Sequence, residues 1–357
     1  MEVYNILFNR LLSETAKQKA IDLHLSVGSI PVLRKDGRLT PLENEKIIEQ
    51  ETLSQIVNSF LDENEQKILA DNREITVIKV LGGHFRFKIN IYYQKNLLAT
   101  SFRLISEVAH DLQSLNLPPD LENFTNLSNG LFIVAGIYGS GKTATIAAFL
   151  EKINRTQKKR ILTLESSIET VFINKKSIIE QRQLQKDVPN LLEGLKYCQH
   201  QDIDVLMISD ITDEFTAVMP FILEIASGSS FVILEVNADS ATRVIEKILE
   251  SFPPNKTEST RILLADVLKG VIVQRLVPKN GGGQLLAYEF VVVNSAVAST
   301  IRENRLQQLA TIIQTSGTEG MVSMNTSLIN LVQSGQVSVE DALAASPHKE
   351  DFKIMAK

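Results

Sequence analysis

Residues 136–143 read Gly-Ile-Tyr-Gly-Ser-Gly-Lys-Thr and follow an apolar run, Leu-Phe-Ile-Val-Ala, at 131–135. The phosphate-loop pattern G-x-x-x-x-G-K-[ST] is met at Gly136, Gly141, Lys142 and Thr143. Small residues at Gly139 and Ser140 let backbone N–H groups turn inward around a polyphosphate. The helix expected over 143–153 points the positive end of its dipole at the same charge. In this chemistry Lys142 reaches the β- and γ-phosphates of a nucleotide and Thr143 places its hydroxyl on Mg²⁺. Thr145 completes the nucleotide-binding set. A buried strand that ends in such a loop and turns into a helix belongs inside a parallel sheet covered on both faces.

The surrounding sequence carries that pattern onward. Apolar runs at 131–135, 160–164, 204–208, 231–236 and 285–293 are strand candidates, and they alternate with helical periodicity at 143–153, 214–226, 240–249 and 258–270. Ligands of such sheets bind at the carboxyl ends of the strands. The acids that follow strands are therefore informative: Glu165 and Glu169 after one, Asp210 and Asp213 after another. A carboxylate there holds hydrated Mg²⁺ or orients water for attack. The same group also caps the next helix, the role that suits Asp213.

Upstream, residues 21–27 alternate Ile, Asp, Leu, His, Leu, Ser, Val, a half-buried strand broken by Gly28. A short strand at 31–35 runs into Asp36-Gly37, a hairpin signal, and 45–61 has helical spacing. Strands follow at 74–80, 84–92 and 98–105. In the middle one Arg86 and Lys88 share a polar face with His84, and the last carries Arg103. The polar stretch around Pro118-Pro119 reads as a linker. The tail alternates helical segments with Gly317, Gly320 and Gly335, and Ser338 starts a capped helix. The organisation expected is an N-terminal α+β domain (1–112), a linker (113–129), an α/β core (130–294) and a C-terminal helical region (295–357).

Composition closes several alternatives. No apolar run is long enough to cross a bilayer, and the N-terminus lacks a basic start and a small-residue cleavage site, so a cytoplasmic location is expected. One cysteine, Cys198, excludes an internal disulfide framework and leaves too few thiols for a structural zinc site. A net charge of −5 offers no general attraction to nucleic acid, and no nucleic-acid partner is expected.

Several separated stretches resemble one family, the secretion and pilus traffic ATPases, and within it the type IV pilus retraction (PilT-like) branch. Asp22-Leu-His-Leu-Ser26 with Pro31, Arg34, Asp36 and Gly37 is similar to that family's opening strand and hairpin, and residues 85–90 to its RFRVN segment. The phosphate loop resembles GPTGSGKS, and the Asn174-Lys-Lys-Ser177 to Gln181-Arg182 stretch resembles HKKS…NQRE. Residues 270–278 resemble GVIAQRLLP, and 301–315 resemble IRE…SIIQT. The resemblance implies a RecA-like P-loop NTPase core, a smaller PAS-like α+β domain in front and a helical tail. It further implies a homo-hexameric ring at the inner face of the membrane, held there by a platform protein of a pilus or secretion machine, with a paralogous pilus ATPase as a second partner. ATP and Mg²⁺ are the implied ligands. Carried over by position, Glu169 activates water, Arg86 and Arg103 reach the phosphates, Lys142 binds them, and Thr143 with Asp210 holds the metal.

The chain also departs from the family. Asp210 stands where the Walker B strand ends in glutamate, shortening reach by about 1.5 Å. Ser166 and Ser167 replace the acid and proline of EDPIE. The histidine box GHLVFGTLHTNSA aligns with 229–241, so its histidines become Ser230 and Asn237, and Ala298 replaces the first arginine of AIRNLIRE. Two functions are therefore expected from this sequence: an ATP-hydrolysing pilus or secretion motor, or a nucleotide-binding, weakly hydrolysing accessory subunit of the same machine.

Overall fold

The structure, a computed structural model, describes residues 3–83, 85–105, 111–209, 211 and 215–355. His84, Asp210, Asp213 and Glu214, named above, lie outside the described residues. The chain divides into two compact units, Met1–Val108 and Ala109–Lys357.

The first unit holds helix α1 (Val3–Lys17), strands β1 (Asp22–Ser26), β2 (Val32–Lys35) and β3 (Arg38–Pro41), helices α2 (Gln50–Asn58) and α3 (Glu63–Asn72), and strands β4 (Glu74–Leu81), β5 (Phe85–Gln94) and β6 (Leu97–Ile105). The strands form one antiparallel sheet in the order β3-β2-β1-β6-β5-β4. Asp36 and Gly37 turn the β2–β3 hairpin with φ of 49° and 79°, the left-handed pair that a two-residue turn requires. Alternation sends Leu23, Leu25, Phe87, Ile89 and Phe102 to one face, where Leu11 and Leu12 of α1 and Leu53, Ile56 and Val57 of α2 join the core. Phe102 is its centre, with the rings of Phe8, Phe60 and Phe87 at 5.3, 6.0 and 6.3 Å.

The second unit opens with helix α4 (Leu121–Phe124). It continues with β7 (Gly130–Gly136), α5 (Lys142–Thr156), β8 (Arg160–Glu165), β9 (Ile178–Gln183), α6 (Leu191–Cys198), β10 (Val205–Ile208), α7 (Phe215–Ser227), β11 (Phe231–Val236), α8 (Ala241–Glu250), α9 (Thr257–Val267), β12 (Leu268–Pro278) and β13 (Gln284–Val292). Helices α10 (Ser295–Arg302), α11 (Leu309–Thr315), α12 (Met324–Gln333), α13 (Val339–Ala345) and α14 (Lys349–Met355) form the tail. The sheet order is β13-β12-β7-β11-β10-β8-β9, parallel except for β13. Strand β7 is buried at every residue. Its Phe132 and Val134 pack on the α5 side with Phe149, while Leu131, Ile133 and Ala135 pack on the opposite side with Val218, Ile222 and Val244. This is the α/β core with helices on both faces that the loop sequence requires.

Three local readings are corrected, and one strand had gone unread. The helix expected over 258–270 ends at Val267, and Gly270 lies inside β12. Gly270 is there for close approach: a Cβ would fall 2.7 Å from the Phe124 ring and 3.0 Å from the Val291 carbonyl oxygen. The stretch read as a linker carries α4, whose Leu121 and Phe124 are buried beside Phe132 and Phe290. The helix expected over 45–61 is confined to α2, and α3 follows behind a capping box in which Asp62 accepts from Glu65 N at 2.8 Å. Strand β9, unread from its polar sequence, is the edge of the sheet.

In the tail, Met324, Leu328, Val337 and Phe352 pack on Val277 and Ala287 of the β12–β13 ribbon. Ser338 caps α13, accepting from Asp341 N at 3.0 Å, three residues after the left-handed Gly335. Cys198, at the end of α6, is buried, and burial pushes its thiol up to about 12.

Candidate nucleotide site

Strand β7 delivers the chain to the carboxyl edge of the sheet, where Gly136 turns it away. A Cβ on Gly136 would lie 2.3 Å from Ser140 Oγ and 2.7 Å from the Gln274 carbonyl oxygen, so no larger residue fits. Ser140 N donates to Ile137 O at 3.2 Å, closing the loop, and Gly141 stands at the N-cap of α5 with φ of 90°. Lys142 begins the helix. Its ammonium donates to the carbonyls of Gly136 and Ile137 at 3.1 Å each, and the residue is only 6% exposed. Thr143, half-buried, follows in the first turn. Gly136, Gly139, Ser140, Gly141, Lys142, Thr143 and Thr145 are thus brought together as one strand–loop–helix element.

Both neighbouring strands contribute a polar residue that sequence reasoning missed. From β12, Gln274 donates through Nε2 to Thr145 Oγ1 at 2.6 Å. From β11, Glu235 brings Oε1 to 3.7 Å from Lys142 Nζ, with both side chains nearly buried. Glu235 is the one polar residue of β11, which was the available signal, whereas Gln274 is followed by Arg275 in β12. Ser140 Oγ and Gln274 Oε1 are buried without a hydrogen-bond partner among the described residues. Of the two, the Ser140 hydroxyl can donate to a phosphate oxygen and so find its partner in a bound polyphosphate, whereas Gln274 Oε1 only accepts.

On the acid side, the parallel register sets Leu164, Ile208, Leu234 and Ile133 at one level, so the segments after β8, β10, β11 and β7 leave the sheet on the same edge. Glu165 ends β8 and is buried, accepting from Thr163 Oγ1 at 2.7 Å and Gln181 Nε2 at 3.1 Å. Gln181 also bonds Thr170 O and Phe172 N, at 2.9 Å each, and so pins the irregular segment that carries half-buried Glu169. Ser166 N donates to Ser209 Oγ at 3.1 Å, tying that segment to the end of β10. Asp210, next in the chain, lies outside the described residues.

Across the β11–β12 side of the same edge, Glu289 of β13 accepts from Ala241 N at the start of α8 at 2.7 Å. Burial raises its carboxyl above the usual range, against the lowering effect of that backbone donor.

The two predicted arginines belong to the first unit. Arg86 and Lys88 are half-buried on the polar face of β5, as their alternation requires. Arg103, opposite Lys88, makes a two-pronged contact to Asp22 of β1, Nε–Oδ1 2.8 Å and Nη2–Oδ2 3.2 Å, while Arg34 Nε lies 3.7 Å from Asp22 Oδ2. Asp22 is 4% exposed. The row Arg34–Asp22–Arg103–Lys88 thus sets two cations on one carboxylate, with Lys88 beyond them opposite Arg103.

The donor set suits a Mg²⁺-polyphosphate: an ammonium, a helix N-terminus and the orphaned Ser140 hydroxyl for the phosphates, and a first-turn hydroxyl for the metal. The chain is 30% identical over 347 residues to the type IV pilus retraction ATPase PilT of Pseudomonas aeruginosa, covering 96% of this chain and 98% of that one. It is 30% identical over 325 residues to a twitching motility protein of Neisseria gonorrhoeae, covering 91% and 86%. The crystal structure of the pilus retraction motor PilT with bound ADP superposes with a TM-score of 0.83 at 31% identity, over 99% of this chain and 100% of that one. The Type II/IV secretion system protein profile matches residues 2–344, and the chain belongs to that family.

Proposed function

We propose that the chain is the ATP-hydrolysing motor of a type IV pilus or of a related type II secretion machine, working as a homo-hexameric ring with Mg²⁺. The observation that carries this reading is the intact loop, with Lys142 folded over the carbonyls of Gly136 and Ile137 at the carboxyl edge of a buried parallel sheet. Lys142 leaves those carbonyls for the β- and γ-phosphates, and Thr143 with Asp210 holds the metal. When bound, Mg²⁺ neutralises charge on the phosphate oxygens and fixes their orientation. Glu169, on the segment pinned by Gln181, orients and deprotonates the attacking water. Arg86 and Arg103 neutralise charge on the transferring group. Arg103 is then drawn from Asp22, which keeps Arg34 as a neighbouring cation. No helix of the described residues is long and apolar enough to cross a membrane. On the likeness to the pilus retraction ATPase, the motor is assigned to the cytoplasmic face, attached through an inner-membrane platform protein.

Steady-state phosphate release with ATP and Mg²⁺, against a Lys142→Ala background, tests the reading. Glu169→Gln is expected to lower turnover by roughly 10²–10⁴-fold with ATP binding retained. Unchanged turnover in that variant removes Glu169 from the mechanism.

A second reading is favoured by one observation. Ser230, at the first histidine position of the family's box, is buried and donates to Ile203 O at 2.7 Å, a role confined to holding the strand entry. A nucleotide-binding accessory subunit beside a paralogous motor fits that loss. It predicts tight binding without turnover, and a changed rate when the chain is mixed with an active motor.

A further inference from the structure

Glu235 is absent from the functional assignments above. It lies on β11, the strand between the phosphate-loop strand and β10, opposite Val134 in the register. Its neighbours two and four residues back, Ile233 and Phe231, face the α5 side in the cluster that includes Phe149. Strand alternation therefore puts Glu235 on the face where α5 begins. It is 8% exposed, and its carboxylate stands 3.7 Å from the Lys142 ammonium. In the aligned pattern GHLVFGTLHTNSA, threonine occupies this position, so the carboxylate is this chain's own.

A nearly buried carboxylate beside the loop lysine has a definite consequence. With the lysine over the loop carbonyls, Glu235 and Lys142 compensate each other's charge. When Lys142 turns to the phosphates, that positive charge moves away from a carboxylate shielded from water, and a multiply charged anion arrives close by. Withdrawing one partner of a buried pair is strongly unfavourable, and the added anion makes it more so. A divalent cation carried in with the nucleotide, on the Thr143 hydroxyl, restores the balance.

We propose that Glu235 is a positioning residue that couples nucleotide binding to Mg²⁺, holding Lys142 over the loop carbonyls until a divalent cation accompanies the phosphates. The inference rests on the nucleotide reading of the loop. Because linkage is reciprocal, nucleotide raises the affinity for Mg²⁺ by the same factor by which Mg²⁺ raises the affinity for nucleotide, and Glu235 enlarges that shared factor.

The test is the dissociation constant of N-methylanthraniloyl-ATP for the full chain, measured by fluorescence in excess Mg²⁺ and in EDTA. Wild type is expected to show a large EDTA-to-Mg²⁺ ratio. Glu235→Gln and Glu235→Thr are expected to shrink that ratio by about ten-fold or more, through tighter binding in EDTA, and Glu235→Asp to preserve it. A ratio unchanged in Gln and Thr variants overturns the proposal. So does an equal loss of affinity in both conditions, which marks a merely structural role. Wild type alone also decides: equal binding with and without Mg²⁺ overturns the proposal even if no variant folds. Wild type that binds in neither condition removes the nucleotide reading and this inference with it.

Discussion

Single side chains at the loop are held to tolerances of a few tenths of an ångström. Gly136 shows this most sharply, since a Cβ would meet the Gln274 backbone carbonyl at 2.7 Å as well as Ser140 Oγ at 2.3 Å. Gly136→Ala is therefore expected to lower nucleotide affinity by about ten-fold or more and stability by about 1–3 kcal/mol, read from ligand titration and urea unfolding. Glu289 offers a pH-dependent readout. Its folded-state pKa lies above the unfolded value because burial disfavours the charge. The favourable contribution is thus fully present below the unfolded pKa and is lost as pH rises through the folded one. Glu289→Gln, which keeps an acceptor for Ala241 N, is expected to melt above wild type at pH 7.5, with the difference closing as pH falls toward the ordinary carboxylate range. A constant difference across that window removes Glu289 as the cause.

The strands and helices differ in how far their own residues specify them. In the first unit the sheet is fastened through Phe102, which meets three other rings. Phe102→Ala is expected to cost about 3–5 kcal/mol, seen as a lower urea midpoint with turnover kinetics of the folded fraction unchanged. The β7–loop–α5 element was legible in sequence because each position is constrained by phosphate geometry and by a strand buried on both faces. The β2–β3 hairpin was legible because Asp36-Gly37 demands one turn geometry. Strand β12 was not, since Gly270 reads as a helix terminator until Phe124 is seen lying against it. Strand β9 was hidden by its polar composition, which suits an edge but carries little alternation. Glu235 and Gln274 were passed over, because their partners Lys142 and Thr145 come from a neighbouring element. Strand order, which no local pattern encodes, brings them together.

Taken as a pair of units, the chain keeps its hydrophobic clusters separate. One is drawn wholly from residues before 108, and the others lie wholly after 109. The loop, the pinned Glu169 segment, Gln274 and Glu235 all belong to the second unit, and the Arg86 and Arg103 face belongs to the first. Cys198 bears on how either unit can be labelled. With its thiol pushed up to about 12, only about one molecule in 10⁴ carries a thiolate at pH 8, and burial closes access to that fraction. The native protein is expected to consume almost no Ellman reagent within minutes, whereas guanidinium-unfolded protein consumes one equivalent. The unaltered chain is then already a silent background for maleimide chemistry. A dye placed on an introduced surface cysteine in either unit reports from that site alone, with no native thiol to remove.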